Sequence, residues 1–221
     1  MTSHSRLVPL LLGVAVVMFA AAPFVIDTAP YESSMGLVQR IFYFHLGAAM
    51  TMLTSGLVCG IASARYLAKR SASADHLAYA AVELAVLFGT MVLVTGPLWA
   101  RKAWGVWWDW EPRLTSTLVM YMLFVAYLLL RRFGGAGSEV LSAAIGLFGM
   151  ALVPFVYISV NLWRTLHPKT SVLPTLPKPM LVPALFCLAA FLILYWALLL
   201  IRMRMEAARA EIDAAYLSLE D

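Results

Sequence analysis

Six long apolar runs dominate the sequence and constrain its fold more than any other feature. They cover residues 7–26, 41–64, 77–98, 112–130, 140–162 and 180–201. A helix needs about 20 mostly apolar residues to cross the hydrocarbon core of a bilayer. Because a backbone in lipid must satisfy its own hydrogen bonds, each run predicts a transmembrane helix. We therefore expect an all-α polytopic membrane protein, a single bundle of six transmembrane helices within residues 1–221.

The composition agrees with a lipid environment and leaves little room for other domains. Hydrophobic residues make up 62% of the 221 residues and charged residues 13%, whereas soluble domains carry about 25% charged residues. Six spans with short connections use nearly all of these residues, so we expect no separate soluble catalytic domain within them. The net charge of +4 comes from Lys and Arg at the ends of apolar runs. This pattern indicates topology signals in a lipid bilayer and no nucleic-acid partner.

Parity decides which loops share a face of the membrane. With six spans, the first, third and fifth connections lie on one side and both termini lie on the other. Nine Lys and Arg residues fall on the side of the termini and seven on the opposite side. Under the positive-inside rule this small excess predicts cytoplasmic termini, a cytoplasmic tail over residues 202–221 and an outer position for the three odd-numbered loops.

The third connection, residues 99–111, concentrates tryptophan. Five of the seven tryptophans in the chain lie within it. If residues 101–110 form a short interfacial helix, four residues share one of its faces at i, i+3, i+4 and i+7. These residues are Trp104, Trp107, Trp108 and Glu111. An aromatic belt at headgroup level is the alternative, but a belt spreads its aromatic residues over many helix ends. The concentration therefore favours an aromatic plate that binds a large planar ligand.

Charged residues follow the tryptophans. Pro112 is expected to end the loop and to begin the fourth span, which places Glu111 at the junction and Arg113 in the first helical turn. The carboxylates of Asp109 and Glu111 and the guanidinium of Arg113 can orient the polar edge of a ligand by charge-assisted hydrogen bonds. A porphyrin with two propionates fits this description better than a quinone does.

Two of the four histidines belong to the face that carries the tryptophans. His45 lies in the first turns of the second span, and His167 follows the fifth span. A single histidine at a membrane interface is more often a packing residue, but two beside an aromatic plate favour axial ligation of haem iron. Because the ligating nitrogen must be unprotonated, the other nitrogen of each ring should have a hydrogen-bond partner. The sequence does not identify these partners.

Glu83 is the ionisable residue inside the third span. A charge at this depth is costly and is a candidate for function by default. Two interpretations of Glu83 are open: it packs against a polar neighbour, or it has a role in the passage of the ligand.

The segment from Trp104 to Thr115 resembles the tryptophan-rich WWD signature of the haem-handling family of cytochrome c maturation, and its CcmC branch in particular. Six spans, His45 after an aromatic run, and the residues before His167 also fit that branch. The resemblance implies that the two histidines are the axial pair to haem iron. The haem platform that it implies consists of Trp104, Trp107, Trp108 and Trp110. Since the family usually has aspartate where this chain has Glu111, both Glu111 and Asp109 are candidates for the family's acid.

The resemblance further implies a function and partners. Haem b, bound non-covalently as the transported ligand, would be presented at the outer face of a bacterial inner membrane to a membrane-anchored, CcmE-like haem chaperone. ATP-binding cassette subunits similar to CcmA and CcmB and a small CcmD-like membrane subunit would assist. The chain has no Gly-x-x-x-x-Gly-Lys phosphate loop, so a partner would hydrolyse ATP. We do not expect the chain to be an enzyme.

Two other classes of membrane protein are alternatives. A b-type cytochrome or quinone-reactive anchor generally places ligands at two depths, whereas the candidate ligands here lie near one face. A metal-ion permease could use His45, His167, Asp109 and Glu111 as ligands. An ion site does not require a plate of tryptophans, so the haem-handling interpretation is favoured.

Overall fold

The computed structural model describes residues 4–33, 35–170 and 172–220, which form helices and connecting loops. Within these residues, six helices are long and apolar enough to cross a membrane. This confirms the predicted all-α architecture with six spans. The spanning helices are α1 (His4–Asp27), α2 (Ile41–Lys69), α3 (Ala72–Trp104), α4 (Pro112–Phe133), α5 (Ser138–Leu162) and α7 (Lys178–Glu220). A 3-10 helix, Gly36–Arg40, precedes α2, and the one-turn helix α6 (Val172–Thr175) precedes α7.

Several helices extend past the predicted apolar runs because polar residues at their ends continue the helical backbone. The largest extension is in α7, which contains 43 residues and includes the C-terminal tail. At about 1.5 Å per residue this helix is roughly 64 Å long, about twice the thickness of the hydrocarbon core. The tail therefore continues the sixth span as a helix outside the bilayer.

Helix α2 lies at the centre of the bundle. It packs against α3, α5 and α7, while α4 packs against α3 and α5, and α1 lies beside α7 at the edge. In the apolar window of α2, 61% of the residues are buried inside the protein, compared with 17% in α1. His45, near the start of this central helix, contacts the neighbouring α3.

Glycines let α2 and α5 approach each other closely. A Cβ added at Gly60 would lie 2.1 Å from the Cβ of Met150, and one added at Gly146 would lie 2.5 Å from the Oγ of Ser63. Helix association within membranes depends on small residues at such crossings. Gly60 and Gly146 thus fix the distance between the central helix and α5.

Replacing Gly60 with valine is expected to destabilise the bundle, because the Cβ of Met150 cannot move without the backbone of α5. Overpacking of this kind costs about 1–3 kcal/mol, and each kcal/mol lowers the melting temperature by roughly 2–4 °C for a chain of this size. The control is Gly13→Val in α1, where a Cβ would meet nothing within 4 Å. Thermal unfolding in detergent followed by circular dichroism measures both variants. Equal melting temperatures would contradict the packing role of Gly60.

Two ion pairs join helices toward the end of the bundle opposite the tryptophan-rich loop. Asp75 in the first turn of α3 forms a two-pronged pair with Arg131 of α4. Glu83 accepts a hydrogen bond from Nε of Arg202 in α7 at 2.7 Å and lies 2.5 Å from its Nη2. Arg202 also pairs with Glu206 at 2.8 Å. Of the two interpretations left open for Glu83, these contacts support packing between α3 and α7.

Candidate functional site

The candidate site lies at the end of the bundle where α2 and α4 begin and α3 and α5 end. A cavity there is lined by apolar residues and by His45, Gly96, Trp99, Trp104, Trp107, Trp108, Arg113 and His167. The space between its lining atoms measures about 700 Å³, including the part that is open to the surroundings. Ligand sites commonly have mostly apolar walls and a few convergent polar groups, as the lining of this cavity does. The cavity therefore suits a mostly apolar ligand.

The tryptophan-rich loop does not contain the predicted interfacial helix. Helix α3 continues through Arg101 to Trp104 and ends at Gly105, whose φ of +78° is left-handed, a conformation that glycine adopts at little cost. Residues 105–111 are not helical. The prediction of a helix over residues 101–110, with four of its residues on one face, is therefore wrong. The spacing of the tryptophans predicted a helix that does not form, because Gly105 ends α3 directly after Trp104.

The tryptophans instead form an inner wall and an outer rim. Trp99 is buried and lies 5.3 Å, centroid to centroid, from the partly buried Trp104. Trp108 is partly buried and packs at 74° against Trp110, while Trp107 and Trp110 are 57% and 74% exposed. Trp107 lines the cavity at its rim, and Trp110 lies outside Trp108. Trp99 is absent from the site predicted from sequence, although its place in the same cluster of tryptophans was an available signal.

His45 is held against α3 by a hydrogen bond that also assigns its tautomer. Its Nδ1 lies 2.9 Å from Oγ1 of Thr95, and the Thr95 hydroxyl donates to the carbonyl oxygen of Met91 at 2.7 Å. A hydroxyl has a single hydrogen to donate, so Thr95 accepts the hydrogen of His45 Nδ1. Nε2 of His45 is therefore unprotonated, as a metal ligand requires.

His167 has the same tautomer for a different reason. Its Nδ1 lies 3.1 Å from the carbonyl oxygen of Pro168, and a carbonyl only accepts hydrogen bonds. Nδ1 therefore carries the hydrogen and Nε2 is free. Burial, and secondly the positive charge of Arg113, lower the pKa of His167 from 6.5 to about 3. The imidazole is consequently neutral at physiological pH.

Aromatic rings connect the two histidines in space. Ring centroids are 6.5 Å apart between His45 and Trp99, and 6.2 Å apart between Trp104 and His167. A second cavity adjoins the first, and both histidines line it together with Trp99 and Arg113. The structure thus brings together the predicted residues His45 and His167, with open space on two sides of them.

Glu111 connects the third loop to the loop that carries His167. It is only 5% exposed, and its Oε2 accepts hydrogen bonds from the Leu166 N–H at 2.8 Å and from the Thr165 hydroxyl. The Oγ1 of Thr165 in turn accepts the N–H of His167 at 3.0 Å. Asp109 is exposed, and in the described part of the chain neither acid lines the two cavities. The geometry therefore favours Glu111, as a residue that positions the His167 loop.

The chain matches a known family along nearly its whole length. The sequence model of the family described as Heme exporter protein C matches residues 1–218. The chain belongs to the heme exporter protein C family. This confirms the resemblance predicted from the tryptophan-rich segment.

Curated relatives agree with the family model. The Heme exporter protein C of Bradyrhizobium diazoefficiens is 32% identical over 214 residues, which cover 94% of this chain and 81% of the relative. That of Haemophilus influenzae is 32% identical over 215 residues, covering 91% and 82%. A putative cytochrome c biosynthesis ccmC-like mitochondrial protein of Marchantia polymorpha is 31% identical over 169 residues, covering 75% and 72%. Family membership and the six candidate spans together make the chain a multi-pass membrane protein.

Proposed function

We propose that this member of the heme exporter protein C family binds haem b non-covalently in the cavity, with His45 and His167 as axial ligands. The observation that carries the proposal is that two imidazoles with unprotonated Nε2 atoms meet in one aromatic cavity. Imidazole is a common axial ligand of haem iron. Membership of the heme exporter protein C family supports haem as the handled ligand.

The walls of the cavity fit a porphyrin with acidic substituents. Tryptophan rings supply apolar aromatic surface, and the indole N–H groups of Trp99 and Trp108 are buried without a partner among the described residues. An indole nitrogen can only donate, and an unpaired buried donor costs about 1–3 kcal/mol. Propionates would accept these donors and would pair with Arg113, which lines both cavities. Bound haem would thus satisfy groups that the protein alone leaves unpaired.

The proposed task of the chain is to present this haem at the outer face of the bacterial inner membrane to a membrane-anchored, CcmE-like chaperone. The exposed tryptophans of the third loop, Trp107 and Trp110, offer the apolar contact area that protein interfaces favour. Capture and release require only the making and breaking of iron–nitrogen bonds, so no enzymatic step is assigned to this chain. Subunits similar to CcmA, CcmB and CcmD are the proposed partners, with ATP hydrolysis in the ATP-binding subunits.

An absorption spectrum of the purified, detergent-solubilised protein tests the proposal. We expect one class of low-spin, six-coordinate haem after reduction with dithionite, and complete extraction of that haem into acidified organic solvent because it is not covalently attached. Two haems with distinct potentials in a redox titration would favour a b-type cytochrome instead. Bound zinc without a Soret band would favour a metal permease.

Cysteine labelling from the periplasm tests the proposed orientation. The native Cys59 and Cys187 are buried, so a membrane-impermeant maleimide should report on introduced cysteines. Val106→Cys and Leu166→Cys, at exposed positions near the site, should label in cells with a permeabilised outer membrane. Phe133→Cys, exposed at the far end of α4, is the matched control and should not label. Reversed labelling would place the site on the cytoplasmic face.

A further inference from the structure

His45 is fixed to two consecutive residues of a neighbouring helix. Its Nδ1 donates to Thr95, and a Cβ added at Gly96 would lie 3.3 Å from its Cε1. The hydroxyl of Thr95 is itself oriented by the carbonyl of Met91, so the hydrogen-bond acceptor cannot rotate freely. His45 thus belongs to the rigid interface between α2 and α3.

His167 is mounted on a loop, and its ring has a weaker connection to the bundle. The acceptor of its Nδ1 hydrogen is the carbonyl of Pro168, the next residue of the same loop. This acceptor moves together with the ring when the loop shifts as a unit. Glu111, directly before α4, joins this loop to that helix by accepting hydrogen bonds from the Thr165 hydroxyl and the Leu166 N–H.

We propose that Thr95 is a positioning residue that fixes His45 as the retained iron ligand, and that His167 is the ligand exchanged first when haem leaves. The inference rests on the proposed function, because it needs both histidines on iron. To the proposed function it adds Thr95 as a residue that acts through His45, and it adds the order in which the two histidines release iron.

The exchange step involves no redox chemistry. The bond between iron and Nε2 of His167 breaks, and a nitrogen or oxygen donor of the acceptor protein forms a bond to iron in its place. Both Nδ1 hydrogens stay on their rings, and no electron is transferred. A shift of the His167 loop as a unit moves that ring away from iron and keeps its hydrogen bond to Pro168, whereas moving the His45 ring away from iron would break its hydrogen bond to Thr95 within the packed interface. The loop ligand is therefore the one that leaves at lower cost.

The first test uses haem-free protein and needs no bound ligand. In detergent-solubilised protein with ¹⁵N-labelled histidine, the ring nitrogen shifts identify the tautomer of His45, whose signals are assigned by their loss in His45→Ala. We expect the Nδ1–H form in the wild type and in Thr95→Ser, which keeps the hydroxyl. Thr95→Val, which replaces the hydroxyl with a methyl group of similar size, should give a mixture of tautomers. An unchanged tautomer in Thr95→Val would overturn the positioning role.

The second test measures haem loss to excess haem-free myoglobin. We expect His45→Ala to lose haem about 10-fold or more faster than His167→Ala, and Thr95→Val to lose it about 10-fold faster than wild type, since partners of metal ligands are typically worth 10–100-fold. Thr95→Ser should restore the wild-type rate. Adding Thr95→Val to His45→Ala should change nothing, because Thr95 acts through His45. Circular dichroism verifies that each variant is folded.

The outcomes separate this inference from the proposed function. Equal rates of haem loss from the two histidine variants, or a further acceleration by Thr95→Val without His45, would overturn the inference while leaving haem binding intact. If the wild-type protein binds no haem, the proposed function and the release order fail together. The histidine tautomer then still decides whether Thr95 positions His45.

Discussion

Replacing both His45 and His167 with alanine is expected to remove the low-spin haem spectrum and to weaken haem binding by more than about 100-fold. The free Nε2 atoms of these residues are the two imidazole donors in the cavity. Hydrogen-bonding partners of metal ligands are already worth about 10–100-fold, so loss of both ligands should exceed that range. Haem per polypeptide, measured by pyridine haemochrome on protein purified with added haem, gives the result.

His76→Ala is the matched control for the double variant. His76 lies in the first turns of α3, at the opposite end of that helix from the cavity. His76→Ala makes the same change of imidazole to methyl away from the cavity. It should leave the haem spectrum and the haem content at wild-type levels. A double variant that is folded by circular dichroism and keeps six-coordinate, low-spin haem would show that other residues bind the iron.

The transmembrane architecture was predictable because the bilayer sets a length that apolar runs must meet. All six runs correspond to helices that meet this length. The ends of the helices were not predictable to the residue, since polar groups beyond the hydrocarbon continue a helix at little cost. The extension of α7 to Glu220 is such a case, and hydropathy alone places its limit near residue 201.

For the candidate site, the sequence predicted which loops lie close together but not the conformation of those loops or the partners of the histidines. Parity and the positions of the histidines place His45 and His167 near the tryptophans. The conformation of the third loop was missed because one left-handed residue, Gly105, ends α3 before the pattern of tryptophans ends. Thr95 was missed because it lies 50 residues from His45 in sequence, within an otherwise apolar helix. Such partners depend on helix packing, which a single sequence does not reveal.

The choice between Asp109 and Glu111 shows the same limit. Both are acidic residues of the same loop, two positions apart, and the local sequence does not distinguish their roles. They differ in a hydrogen bond that Glu111 accepts from Thr165, a residue 54 positions later in the sequence. Pro112 starts α4 and places Glu111 at the junction, where its side chain is buried and reaches the His167 loop.

Glu111→Ala should therefore have a large effect, a release of haem about 10–100-fold faster than wild type. The change leaves two part-buried donors, the Leu166 N–H and the Thr165 hydroxyl, without their acceptor. The loop that carries His167 then loses its tie to α4, while the transmembrane helices keep their contacts. Haem loss to haem-free myoglobin measures the effect, and circular dichroism should show unchanged helical content.

Two further variants decide whether hydrogen bonding at this position explains the effect. Glu111→Gln keeps an oxygen acceptor for Thr165 and Leu166, and it places its amide where Oε1 has no partner among the described residues. We expect it to retain haem nearly as well as the wild type, because the loop needs an acceptor and not a negative charge. Asp109→Ala should have little effect, since Asp109 is exposed. Fast haem loss from Asp109→Ala together with normal retention by Glu111→Ala would assign the family's acid to Asp109, and it would remove Glu111 as the residue that holds the His167 loop.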